Sequence, residues 1–112
     1  MPTPPSASAV PVFDAAQLNR HTRGNPRLQV EVLSLFLTEV ERLMRQVEDA
    51  PDPQLRAERL RALTGVARNT GAVLIAQQAR ALETEIAADH PDLTALRDAV
   101  AETFTFIRRT TG

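Results

Sequence analysis

The chain has 112 residues, of which 43% are apolar and 24% charged, with a formal net charge of −1 and no cysteine. This length suits one domain with a single hydrophobic core. The lack of cysteine excludes disulfides and thiolate metal sites, and the near-zero charge disfavours a general nucleic-acid binder. No apolar stretch reaches the roughly 20 residues that span a membrane, and the start lacks signal-peptide features. We expect a cytoplasmic monomer that binds neither nucleic acid nor a membrane.

The first twelve residues differ in composition from the rest. Residues 1–12 hold four of the eight prolines and no charged residue. Such a segment buries too little apolar area to offset the entropy lost on ordering. We predict a disordered tail over residues 1–12 and one folded domain over residues 13–110.

Helix start signals recur at short intervals in the folded part. Asp14 predicts the cap of a short helix that runs to about Thr22. Asn25 followed by Pro26 opens a long helix to about Glu48, because proline's missing donor costs nothing in the first turn. The inner stripe of this long helix is spaced alternately three and four residues apart and comprises Leu33, Phe36, Val40, Leu43 and Val47, with Met44 beside it.

Three further helices follow by the same signals. Asp52 and Pro53 open a helix to about Asn69, which Gly71 ends. A fourth helix is predicted over residues 72–88, and a turn at residues 89–92 precedes a fifth over residues 92–109. The predicted inner positions are Ile75, Ala79, Leu82 and Ile86 on the fourth helix and Leu93, Leu96, Val100, Phe104 and Ile107 on the fifth. This pattern predicts an all-α fold, an up-and-down antiparallel four-helix bundle with a short extra N-terminal helix.

The third of these five helices carries an unusual glycine. At 3.6 residues per turn its buried side comprises Leu55, Leu60, Leu63, Val66 and Ala67, and its opposite, exposed side comprises Ala57, Arg61, Thr64, Gly65 and Arg68. Glycine inside a helix costs about 1 kcal/mol relative to alanine. A flat spot between Arg61 and Arg68 suits the close approach of an acidic partner, although a merely tolerated glycine explains the pattern equally well. The helix also carries four arginines and one glutamate, a net charge of +3.

The run Leu60-Arg61-Ala62-Leu63-Thr64-Gly65-Val66-Ala67-Arg68-Asn69-Thr70-Gly71-Ala72 resembles the signature of histidine-containing phosphotransfer (HPt) domains, the relay modules of bacterial phosphorelays. That signature reads roughly His-x-Leu-Lys-Gly-x-x-x-x-x-Gly. The matching positions here are Leu63, Gly65, Asn69, Gly71 and Ala72, followed by Ala79, Leu82 and Glu83 on the next helix and preceded by Gly24-Asn25-Pro26, Leu33, Phe36 and Leu37. The resemblance spans about residues 14–107.

The chain departs from the family at the catalytic position. Arg61 stands where the resemblance places the phosphoryl-accepting histidine, and Thr64 stands where it places a lysine. A guanidinium group is always protonated and offers no lone pair to an aspartyl phosphate. We therefore expect no catalytic residue, no enzyme activity and no cofactor. The resemblance implies a pseudo-HPt module.

The resemblance also implies a partner. HPt domains dock over the clustered carboxylates of receiver domains, so we expect the chain to bind the receiver of a response regulator or hybrid kinase. The expected contact residues are Ala57, Arg61, Thr64, Gly65 and Arg68. Two alternatives remain open: an active relay protein that uses His21 or His90, or in which Arg61 replaces a natural histidine, and a structural bundle without a signalling role.

Other candidate sites are weak. The acidic pairs Glu83/Glu85, Asp49/Asp52 and Glu39/Glu41 have no histidine at the spacing that helical metal sites use, so we expect solvated carboxylates and no metal site. The sequence holds no glycine-rich phosphate loop and no aromatic platform for nucleic-acid bases.

Overall fold

The computed structural model describes residues 11–85 and 91–111. Within these ranges the secondary structure is entirely helical and contains no strand, which confirms the prediction of an all-α fold. The helices are α1 (Ala15–Thr22), α2 (Pro26–Asp49), α3 (Pro53–Thr70), α4 (Val73–Glu83) and α5 (Thr94–Thr111). The predicted tail over residues 1–12 lies outside the described residues except for its last two.

The three predicted N-terminal caps are confirmed by hydrogen bonds. The backbone N–H of Gln17 donates to Asp14 Oδ1 over 3.1 Å, that of Leu28 to Asn25 Oδ1 over 3.2 Å, and that of Leu55 to Asp52 Oδ1 over 2.8 Å. Each bond satisfies one of the backbone donors that a helix start leaves unpaired. These caps set the starts of α1, α2 and α3.

The boundaries of α4 and α5 differ from the prediction. α4 ends at Glu83 rather than at Ala88, because the Thr84 hydroxyl donates to the Ala81 carbonyl over 2.8 Å and the Glu85 N–H bonds the Leu82 carbonyl in a tighter turn. Ile86 and residues 89 and 90 of the predicted turn lie outside the described residues.

α5 begins two residues later than predicted. The carboxylate of Asp92 accepts a hydrogen bond from the Thr94 backbone N–H over 2.9 Å, so Asp92 precedes the helix instead of forming its first turn. Side-chain and backbone hydrogen bonds from Thr94 lower the pKa of Asp92. Aspartate at this position suits the positive end of the helix dipole.

The predicted inner stripes form the core. Every stripe residue of α2 is buried. On the later helices most predicted inner positions are also buried, namely Ile75, Ala79, Leu93, Leu96, Phe104 and Ile107. Leu82 and Val100 are half-buried. α3 packs against both α2 and α4, α4 packs against α5, and α5 returns to contact α2. Among the described helices none combines the length and the apolar character needed to cross a bilayer.

α1 secures the junction between α3 and α4. The backbone N–H of Asp14 donates to the Gly71 carbonyl over 2.7 Å, and the Gln17 side-chain amide donates to the carbonyls of Arg68 and Asn69. These bonds satisfy carbonyls at the end of α3 that lack helical partners. The C-terminal part of α3, where the unusual glycine lies, is therefore held in a fixed position.

Candidate functional site

Three of the five predicted contact residues share the exposed side of α3. Arg61, Gly65 and Arg68 are separated by four and three residues, which places them one above another along the helix, and all three are exposed. The side chain of Arg61 is 75% exposed. This part of the predicted surface is confirmed as accessible.

The prediction was wrong in placing Ala57 and Thr64 on the same exposed side. Both are buried, at 7% and 6% exposure. Because α3 packs against α2 and α4 at once, its buried arc is wider than that of a helix with one neighbour. Leu55 and Val66, predicted to be buried, are half-buried at the edges of this arc.

The structure does not require glycine at position 65. A Cβ atom built at this position has no neighbouring atom within 4 Å, and the backbone of Gly65 is helical rather than left-handed. Neither close packing nor an unusual backbone angle explains a residue that costs about 1 kcal/mol in a helix interior. Gly65 leaves a bare strip of backbone between Arg61 and Arg68.

The interpretation of Glu83 as a solvated carboxylate was wrong. Its side chain is 19% exposed and contacts two α3 residues. Thr64 Oγ1 lies 2.8 Å from Glu83 Oε2, and Arg61 Nε lies 3.5 Å from Glu83 Oε1. The carboxylate thereby links α4 to α3 directly beneath the exposed strip.

Sequence reasoning missed Arg80. This arginine lies on α4 three residues before Glu83, so both side chains project from the same side of that helix. The sequence did contain a signal for Arg80. The resemblance to HPt domains already singled out Glu83, and Arg80 lies three residues before it on the same helix. Together the two helices line a cleft of about 340 Å³, here called the arginine cleft, formed by Arg61, Thr64, Gly65, Arg68, Arg80 and Glu83.

The arginine cleft is suited to binding anions rather than to nucleophilic chemistry. Its three guanidinium groups offer only hydrogen-bond donors. The Thr64 hydroxyl is buried and lies within hydrogen-bond distance of both the Leu60 carbonyl, at 3.0 Å, and Glu83. A hydroxyl held in this way is not presented to a substrate.

Of the two histidines, only His21 is described by the structure, and it does not line the arginine cleft. His21 is exposed on α1, and His90 lies outside the described residues. In the described part of the chain, no three acidic or histidine side chains come together as metal ligands.

Comparison of the chain with models of protein families, with curated proteins and with solved structures finds no significant match in any of the three.

Proposed function

We propose that this chain is an HPt-like docking module of a bacterial phosphorelay that binds a receiver domain without accepting its phosphoryl group. The observation that carries the proposal is Gly65, an exposed mid-helix glycine with open space above it and an arginine one turn away on each side. A residue that lowers helix stability and fills no packing role is explained if a partner needs the space.

The proposed architecture is that of the HPt family, with α2 to α5 as an up-and-down antiparallel bundle and α1 as the extra helix. Its support is the cycle of contacts in which each of these four helices packs against the next and α5 returns to α2. Short connections between successive helices favour antiparallel neighbours. On this basis the arginine cleft lies on the outer surface formed by α3 and α4.

The partner follows from charge. The receiver surface implied by the resemblance presents clustered carboxylates, and the cleft offers three guanidinium groups against one carboxylate that is already engaged. Complementary charge speeds encounter and fixes orientation. The module would occupy a receiver and compete with active HPt domains, in the cytoplasm where receivers work.

No phosphoryl transfer is proposed, because Arg61 occupies the position of the accepting histidine. The guanidinium group remains protonated at all relevant pH values and cannot attack phosphorus. Thr64, in the lysine position, is buried against Glu83.

Substitution of Gly65 tests the docking surface. We expect Gly65→Ala to raise the free energy of unfolding by about 1 kcal/mol, because the added methyl group meets no atom and alanine favours the helix. The same variant should bind the receiver more weakly, since the methyl group intrudes on the contact. Urea denaturation and calorimetric titration measure the two effects.

Gly65→Glu adds a negative charge as well as a larger side chain. It should weaken binding by at least about tenfold, because the carboxylate repels the acidic receiver. Ala101→Glu is the matched control, because Ala101 is an exposed alanine on α5. Folded Gly65→Glu protein that binds receivers as tightly as the control variant would refute the proposed surface.

A further inference from the structure

The charges of the arginine cleft are unbalanced. Arg61 and Arg68 on α3 face Arg80 on α4, and Glu83 is the single acid among the lining residues, so the cleft carries a net charge of +2. The whole chain has a net charge of −1. The positive charge is therefore concentrated locally rather than being a general property of the surface.

The carboxylate of Glu83 neutralises only part of the positive charge of the cleft. It is engaged by Thr64 at 2.8 Å and approached by Arg61 at 3.5 Å, a distance longer than that of a charge-assisted hydrogen bond. Within the part of the chain that the structure describes, the side chains of Arg68 and Arg80 form no ion pair. Two guanidinium groups thus remain available to a ligand, and a third is only loosely held.

The shape of the cleft admits a compact ligand. Gly65 contributes no side chain, and nothing lies within 4 Å of its Cβ position, so the space between Arg61 and Arg68 is open down to the helix backbone. Arg80 borders the same space from the neighbouring helix. A small tetrahedral group can lie between the arginines without displacing protein atoms.

We infer that the arginine cleft binds a phosphoryl group, so that the module recognises the phosphorylated state of its partner. Guanidinium forks match the oxygen pairs of a phosphoryl group, and its double negative charge balances the net charge of the cleft better than a single carboxylate would. Because arginine cannot accept phosphorus, the bound group stays on its carrier. This inference deepens the proposed function and rests on it for the identity of the partner.

Two sources share this chemistry, free inorganic phosphate and a phosphoryl group on a receiver aspartate, and they call for separate measurements. In the first, inorganic phosphate is titrated into ¹⁵N-labelled protein at constant ionic strength while the arginine Nε resonances are followed. In the second, calorimetry compares a receiver domain in its unmodified form with the same domain complexed with beryllofluoride, a stable mimic of the phosphoryl group.

We expect the phosphoryl-like receiver to bind about tenfold more tightly than the unmodified one. Arg68→Ala and Arg80→Ala should each weaken the binding of the phosphoryl-like receiver by a larger factor than that of the unmodified receiver, so that most of this preference is lost. Arg27→Ala, which removes an exposed arginine of α2 outside the cleft, is the control and should keep the preference.

The outcomes separate this inference from the proposed function. Equal affinity for both receiver forms would overturn the inference and leave the docking module standing. If neither form binds but inorganic phosphate shifts the Nε resonances of Arg61, Arg68 and Arg80, the phosphoryl site stands and the proposed partner is wrong. If neither form binds and phosphate shifts none of these resonances, both proposals fail.

Discussion

Phosphoryl transfer is expected to appear in the double variant Arg61→His with Thr64→Lys, whereas the unchanged chain is expected to accept no phosphoryl group. The exposed position of Arg61 tolerates an imidazole, whose neutral nitrogen can attack the phosphorus of a receiver aspartyl phosphate. A phosphorus–nitrogen bond forms as the bond to the aspartate oxygen breaks, and the carboxylate leaves. The product is recognised by phosphate that is labile in acid and stable in base.

The environment of Thr64 determines how the second substitution behaves. Because Thr64 is buried beside Glu83, a lysine there must extend along the helix surface and place its ammonium group near the carboxylate. Arg61→His alone is the matched comparison and should transfer more slowly. A double variant that folds and binds the receiver but gains no phosphate would show that this surface is not a former transfer site.

Among the three glycines that the structure describes, Gly71 should be the one whose substitution by alanine is most destabilising. Gly71 has φ of +105°, and a Cβ atom there would lie 2.8 Å from the Asp14 carbonyl oxygen. The substitution strains the backbone and displaces Asp14, whose N–H donates to the Gly71 carbonyl. We expect a loss of about 2–4 kcal/mol in the free energy of unfolding, measured by urea denaturation.

Gly24→Ala separates backbone strain from crowding. Gly24 also has positive φ, at +72°, but a Cβ atom there would meet only the Asn19 side chain, at an ordinary distance of 3.5 Å. We expect a loss of about 1 kcal/mol from strain alone, again measured by urea denaturation. Equal losses for the two variants would contradict the role assigned to the contact between Gly71 and Asp14.

Most of the helical structure was predictable because its signals are local. Asp14, Asn25 and Asp52 each cap a helix by accepting a hydrogen bond from the backbone N–H three positions on. Pro26 and Pro53 directly follow two of these caps. The α2 stripe was equally predictable, since it depends only on helical period. The end of α4 was not predictable. The Thr84 hydroxyl competes for a backbone carbonyl there, but the apolar residues keep their helical spacing as far as Ile86.

The candidate site was predictable only where it depends on one helix. The exposure of Arg61, Gly65 and Arg68 follows from their spacing on α3. The burial of Thr64 and the engagement of Glu83 depend on how α4 packs against α3, which helical periodicity does not specify. Arg80 joins the cleft for the same reason.

We propose that the exposed side of α3 is a receiver-binding surface. Its most direct test is a titration of the ¹⁵N-labelled chain with receiver domains from the same genome, following the backbone amide resonances. We predict shifts concentrated at Arg61, Gly65 and Arg68 and extending across the cleft to Arg80. Binding that shifts only residues remote from this surface, or no shift with any receiver, would contradict the claim.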